Sequence, residues 1–246
     1  FTTYNHSIAE FLFSADWAPS DSAEGGGSVG AAIFIFGSVI TCALALAIAT
    51  PFSLATAIFM TEISPELGKR FVQPAVEIFV GIPSVVYGWI GLTILVPLIK
   101  NIFNLRFGFS VLAAGIVLAV MIFPTITSLA ADALRSIPKS YRAASYGLGA
   151  TRWQTIRNIV MPLVRSSTNT IITLSLIGGL RCFDLIWAMT KGGPGFVTDV
   201  LASVVYKQYA AGFFGLSTAG NVIMFAVIAI IAFPLQKFLN SREVYN

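Results

Sequence analysis

Residues 110–131 read SVLAAGIVLAVMIFPTITSLAA, an apolar run with no charged side chain and with Pro124 inside it. At about 20 residues a helix is long enough to cross a bilayer. Only a helix satisfies its own backbone in lipid at that length, and neighbouring helices can rescue the carbonyls that a proline frees. Comparable stretches lie on either side, at residues 31–61, 75–99, 167–189 and 217–239. Five spans are therefore expected, with kinks at Pro51, Pro83, Pro97, Pro124 and Pro234.

Composition agrees. The chain is 56% hydrophobic and 11% charged, with a mean hydropathy of +0.83, whereas a soluble domain is about a quarter charged. The fold class expected is all-α, a polytopic transmembrane helical bundle. Disorder, a disulfide-stapled secreted scaffold and a nucleic-acid-binding domain are excluded at the same step. Cys42 and Cys182 sit inside apolar runs and His6 is the only histidine, so there is no ligand set for zinc, haem or an iron-sulfur cluster. No metal and no resident cofactor is expected.

Residues 1–30 form an acidic block. It carries Glu10, Asp16, Asp21 and Glu24, has no Lys or Arg, and ends in the run Gly25-Gly26-Gly27-Ser28, which reads as flexible. It lacks the basic start and apolar centre of a signal peptide. Phe1 in place of a start methionine suggests a piece of a longer protein, with an upstream helix expected. The domain organisation is then an external acidic segment, 1–30, followed by a transmembrane domain, 31–246.

Orientation follows from the basic residues between spans. With the acidic block outside, the inner segments hold Lys69, Arg70, Arg135, Lys139, Arg142, Arg152, Arg157, Arg165, Lys237 and Arg242. The outer segments hold only Lys100, Arg106, Lys191 and Lys207. This places the N-terminal block outside and the C-terminus in the cytoplasm. Most of the inner charge lies in the longest inner loop, 132–166.

That loop reads SIPKSYRAASYGLGATRWQTIRNIVMPLVRSS from Ser136. Pro138 can open a helix, Gly147 and Gly149 can end it, and Thr151 can cap the next. A helix-turn-helix on the inner membrane surface is expected, with Trp153, Ile156, Ile159 and Val160 on one face of its second half. A plain amphipathic connector meeting anionic lipid is the simpler reading. The spacing is more specific than that. Ala143-Ala144-Ser145, then Gly149, then Ile159, Met161 and Pro162 resembles the cytoplasmic loop of the permease subunits of ABC importers, where Glu-Ala-Ala, Gly, Ile and Leu-Pro stand at the same intervals. Ala143 replaces the acidic residue and Met161 the leucine.

The resemblance implies that this loop, 136–165, couples the spans to an ATP-hydrolysing subunit. The chain has no phosphate-cradling loop of its own, since Gly68-Lys69-Arg70 lacks both the upstream glycine and the hydroxyl residue. ATP would therefore be bound by the partner, and this chain would be a transport subunit rather than an enzyme. The implied partners are a second permease subunit, two ATP-binding subunits, an external solute-binding protein and membrane lipid, with no nucleic acid. The implied location is a bacterial or archaeal inner membrane.

Residues 9–135 resemble the phosphate-uptake class of these permeases. The matching stretches include Ala9-Glu10-Phe11-Leu12, Glu62-Ile63-Ser64-Pro65, the run Gly81-Ile82-Pro83-Ser84-Val85-Val86-Tyr87-Gly88 and Ser140-Tyr141-Arg142. From Gly149 onward the chain is more similar to permeases for carbohydrates and glycerol phosphates, through Phe183-Asp184-Leu185-Ile186, Gly192-Gly193-Pro194, Tyr206 and the closing Arg242-Glu243-Val244. Phosphate is the expected solute, with a sugar or glycerol phosphate as the alternative and an ATP-independent channel or secondary transporter outside both. Arg181 and Asp184 are the candidate substrate-path residues. They stand at i, i+3, where one helix face would let them neutralise each other, or Arg181 could meet an anion. Glu77 and Asp132 are expected to pin helix ends. The turn Thr190-Lys191-Gly192-Gly193-Pro194-Gly195 lies outside, and the aromatic-rich stretch 196–214 should line the membrane interface.

Overall fold

Apolar side chains on every face leave the long runs no solvent side to present. They are helical in the computed structural model, which describes residues 6–20 and 27–241. Asp21, Glu24, the Gly25-Gly26 pair and the closing Arg242-Glu243-Val244 lie outside the described residues.

The chain opens with α1 (Ile8–Phe13) and an antiparallel ribbon of β1 (Trp17–Pro19) with β2 (Gly27–Val29). Then come α2 (Ala32–Ile58), α3 (Pro65–Leu67), α4 (Gln73–Val80), α5 (Ser84–Ile90), α6 (Val96–Ile102) and α7 (Val111–Ser136). The remainder is α8 (Lys139–Gly147), α9 (Arg152–Thr155), α10 (Met161–Leu163), α11 (Arg165–Leu180), α12 (Asp184–Thr190), α13 (Leu201–Ala210) and α14 (Phe214–Asn240). Wider π turns at Phe59–Ile63, Gly68–Val72, Gly91–Leu95 and Ile156–Val160 connect successive helices.

Among the described residues, Ala32–Ile63, Ser84–Ile102, Val111–Ser136 and Phe214–Asn240 are long and apolar enough to span a membrane. The pair α11 and α12, bent by 46°, supplies the fifth expected span. Pro51, Pro124 and Pro234 lie inside α2, α7 and α14.

Three sequence expectations change. The span assigned to 75–99 starts at Ser84, because Pro83 disfavours a helical Ile82 and has no N–H to continue the ladder. Residues 73–80 form the separate helix α4. The stretch 167–189 is two helices, because after Gly178-Gly179 the Cys182 N–H bonds to the Gly179 carbonyl at 3.1 Å, in a three-residue turn that ends the α-helical ladder. Gly27 and Ser28, read as part of a flexible run, pair in register with Pro19 and Ala18.

The chain folds as two compact units. The first gathers residues up to 44, 84–118 and 179–230. Its core joins the N-terminal block to later helices: Phe11, Val29, Ala31 and Phe34 are buried with Leu201 and Val204 of α13. Trp17 meets Phe34 edge-on at 5.2 Å between ring centroids, and Phe34 meets Phe196 at 5.5 Å. The Ser38 hydroxyl accepts from the Leu201 N–H at 2.9 Å, satisfying one orphan donor at the start of α13. Within 196–214, Phe196, Tyr206, Tyr209 and Phe214 are exposed, while Leu201, Ala202, Ser203, Val204 and Gln208 are buried.

The second unit comprises 45–83, 119–178 and the segment from 231. The Ser53 hydroxyl donates to the Phe123 carbonyl at 3.0 Å, and the Asn169 amide to the Leu239 carbonyl at 3.1 Å. Such bonds fasten apolar helices where lipid offers no competing partner.

Candidate functional site

The loop between α7 and α11 folds as its sequence punctuation dictates. Pro138 stands at the N-cap of α8, and the helix ends at Leu148, whose N–H bonds to the Ala144 carbonyl at 3.1 Å. The chain then reverses at Gly149, with φ +84°, a conformation glycine adopts without penalty. Thr151 caps α9 in a reciprocal capping box. Its hydroxyl accepts from the Gln154 N–H, and the Gln154 side chain accepts from the Thr151 N–H at 2.8 Å. The Ser145 and Thr155 hydroxyls lie 2.9 Å apart and close the two helices on each other.

The expected coupling residues divide by exposure. Ala143, Ala144, Gly149 and Pro162 are exposed, Ile159 and Met161 are half-buried, and Ser145 is buried. The small side chains on α8 thus leave an accessible helix face, and Ser145 holds the turn from beneath. The apolar face of the second half differs from expectation: Thr155, Ile156 and Val160 are buried, while Trp153 is 64% exposed. The π turn Ile156–Val160 rotates the inward stripe away from the position that a regular helix would give Trp153. Trp153 joins Leu148, 90% exposed, and the exposed Tyr141 and Tyr146 among the loop's outward side chains. Large apolar groups gathered on a loop mark an interaction site more often than a solvated one.

One arginine ties this loop to two spans. The Arg142 Nε donates to both Glu62 carboxylate oxygens at 3.0 and 3.1 Å, and Nη2 reaches Oε1. The same guanidinium donates to the Leu134 and Ile137 carbonyls, each at 2.9 Å. It therefore neutralises a buried carboxylate at the end of the first span while satisfying carbonyls at and just beyond the C-terminus of α7. In the sequence Glu62 and Arg142 stand in separate stretches, with nothing to pair them. The usable signal was that each is an ion at the edge of an apolar run, where an unpaired charge is costly.

Glu77 and Asp132, expected to pin helix ends, lie instead inside α4 and one turn before the end of α7. Arg135 sits 3.5 Å from Asp132 and donates to Gln73 at 2.9 Å, and Gln73 donates to Glu77 at 2.8 Å.

Arg181 and Asp184 do not share a helix face. Arg181 lies in the turn after α11 and Asp184 opens α12, and among the described residues no ion pair links them. The i, i+3 argument fails because it needs an unbroken helix. Asp184 instead accepts from the Ser84 hydroxyl at 3.4 Å, at the first residue of α5. The helices α5 and α12 pack closely because Gly88 has no side chain. A Cβ there would lie 2.5 Å from the Leu185 carbonyl oxygen. Arg181 and Asp184 are both exposed beside Phe183, which stacks on Trp187 at 5.6 Å and meets Tyr206 at 4.9 Å.

The turn expected at 190–195 is present, with positive φ at Lys191, Gly192 and Gly195. Sequence reading missed what holds it. The Asp199 side chain is fully buried, accepts from the Ser203 hydroxyl at 2.7 Å and pairs with Lys207 at 2.6 Å.

Four long apolar helices and one bent pair among the described residues, joined by a glycine-turned loop with an exposed face, define a predominantly helical membrane-spanning chain. Residues 28–244 match the family described as binding-protein-dependent transport system inner membrane component, and the chain belongs to that family. It is 52% identical over 174 residues to a probable ABC transporter permease protein, YqgH, of Bacillus subtilis, covering 71% of this chain and 54% of the relative. It is 37% identical over 174 residues to the phosphate transport system permease protein PstC of Haemophilus influenzae, covering 63% of this chain and 54% of that relative. The chain thus spans about half the length of these curated relatives. In fold it is similar to a chain of the inward-facing MetNI methionine ABC transporter, with a TM-score of 0.66, 20% identity and coverage of 85% of this chain and 92% of that one.

Proposed function

We propose that the chain is a permease subunit of an ATP-binding-cassette importer, that it forms half of the translocation pathway, and that its solute is inorganic phosphate. The observation that carries this is the loop 136–165, whose fixed turn presents Ala143, Ala144 and Leu148 to a partner while Arg142 grips the ends of two spans. The likeness to a phosphate permease supports the choice of solute.

In this reading the loop and C-terminus face the cytoplasm, where separate subunits bind and hydrolyse ATP, and an external binding protein delivers solute to the opposite face. A second permease subunit completes the pathway. Closure of the ATP-binding subunits pushes on α8, and the Arg142 contacts carry that push into the spans. Alternating access follows from the shift between two arrangements of the bundle. Arg181, exposed at a helix break, supplies a guanidinium of the geometry that recognises phosphate. No covalent step is assigned to this chain, and ATP stays on the partner.

A sugar or glycerol phosphate is the second reading. It rests on the aromatic group Phe183, Trp187 and Tyr206 beside Arg181, since an aromatic face can pack against the C–H face of a sugar ring. Uptake by vesicles carrying the intact assembled complex separates the two. ATP-dependent accumulation of radiolabelled phosphate supports the first, accumulation of maltose or glycerol 3-phosphate the second, and failure of the chain to co-purify with any ATP-binding subunit defeats both.

A further inference from the structure

The second unit carries a broadly open pocket of about 680 Å³ at the loop end of two spans, lined by Met60–Glu62 near the end of the first span (Ala32–Ile63) and by Leu134 and Arg135 near the end of the third (Val111–Ser136). That volume lies within the usual range for a small-molecule site. Four cations stand on its wall. Two are engaged, Arg142 by Glu62 and Arg135 by Asp132 and Gln73. Lys69 and Lys139 have no acidic partner among the described residues. The one carboxylate on the wall, Glu62, is already shared between the nitrogens of Arg142. The cavity therefore carries uncompensated positive charge above an apolar floor that includes Met60 and Leu134.

We propose that this cavity is an accessory site for a phosphate group, carried by the headgroup of an anionic glycerophospholipid. Its depth supports the lipid as carrier. Two spans end at its rim, so it opens where the apolar segments give way to charged ones, and headgroups occupy that level. The floor would cover glycerol and the first methylenes, and Lys69 and Lys139 would meet the phosphodiester. The site is separate from Arg181 and Asp184 and does not depend on which solute is carried, but it borders the proposed docking face for the ATP-binding subunit, since Ala143 and Tyr146 line both.

The test uses the intact permease purified in detergent, mixed with phosphatidylglycerol and phosphatidylcholine in equal amounts and read by native mass spectrometry. One phosphatidylglycerol per chain should be retained in preference to phosphatidylcholine. The double variant Lys69→Gln with Lys139→Gln should weaken retention by about tenfold or more. Lys69→Arg with Lys139→Arg should preserve it, and so should Lys100→Gln with Arg106→Gln away from the cavity. Thermal melting of the glutamine variant confirms its fold, since the Arg142–Glu62 pair is left in place. Equilibrium dialysis with radiolabelled orthophosphate supplies the second arm. Lysine-dependent binding of orthophosphate without lipid retention keeps the site and assigns it to the free anion. Equal retention by wild type and the glutamine variant, or no binding of either ligand, overturns the proposal.

Discussion

Arg142 and Glu62, 80 residues apart in sequence, form a clasp in which one guanidinium meets both carboxylate oxygens and also takes up the Leu134 and Ile137 carbonyls. Their side chains are 17% and 6% exposed. An ion pair this buried adds little over a well-packed apolar pair, yet removing one member strands the other. Arg142→Met should cost about 3–5 kcal/mol, because Glu62 and two carbonyls lose their donor. Adding Glu62→Gln should recover part of that loss. Thermal or denaturant melting of the four members of the double-mutant cycle in detergent checks both statements.

Gly88 should tolerate no side chain. Its position against the Leu185 carbonyl leaves no room for a Cβ, so Gly88→Ala should lower the melting temperature and Gly88→Val should abolish accumulation of folded protein. Gly178→Ala is the matched control. A Cβ there meets nothing within 4 Å, and in a helix alanine is favoured over glycine by up to about 1 kcal/mol.

On the loop, Leu148→Glu should leave melting unchanged within about 0.5 kcal/mol, because that side chain is 90% exposed. Gly149→Asp and Pro162→Arg should likewise insert and fold, although the first places a side chain at φ +84° and loses about 1 kcal/mol. All three should lose co-purification with the ATP-binding subunit and ATP-driven uptake. Normal association by all three would remove the loop from the coupling role.

Lys207→Met should expose the 190–198 turn to protease. The Asp199 carboxylate is buried and would keep only the Ser203 hydroxyl as a charge-stabilising donor, at a cost of about 3 kcal/mol or more. Limited proteolysis should cut the variant between Lys191 and Val200 at a concentration that spares the wild type. An unchanged cleavage pattern would mean that Ser203 and the Thr190 and Thr198 hydroxyl contacts hold the loop without Lys207.

Sequence reading located the helices because hydrophobic run length is a local quantity, and it located the loop because Pro138, Gly149 and Thr151 act on their nearest neighbours. The Arg142–Glu62 pair joins segments 80 residues apart, whereas the partners of Asp199 lie only four and eight residues away and what is hidden is its complete burial. Nothing near Glu62 indicates that Arg142 will arrive beside it, and nothing near Lys207 singles out Asp199. The Arg181–Asp184 argument failed for a different reason. It assumed helical continuity through Gly178-Gly179, where two residues of poor helix propensity let a tighter turn take over. Trp153 was misplaced by the π turn that follows it, a feature with no clear compositional mark.

The helix-turn-helix at 139–163 is closed by interactions of short sequence range. The capping box spans three residues, and the Ser145–Thr155 hydroxyl contact spans ten. Its shape is therefore largely decided before any partner arrives. A subunit docking there meets a rigid surface and loses little conformational entropy in ordering it, so more of the contact energy remains as affinity. Association at this loop should be fast and close to rigid-body. Shortening or loosening the turn should act chiefly on how long the partner stays.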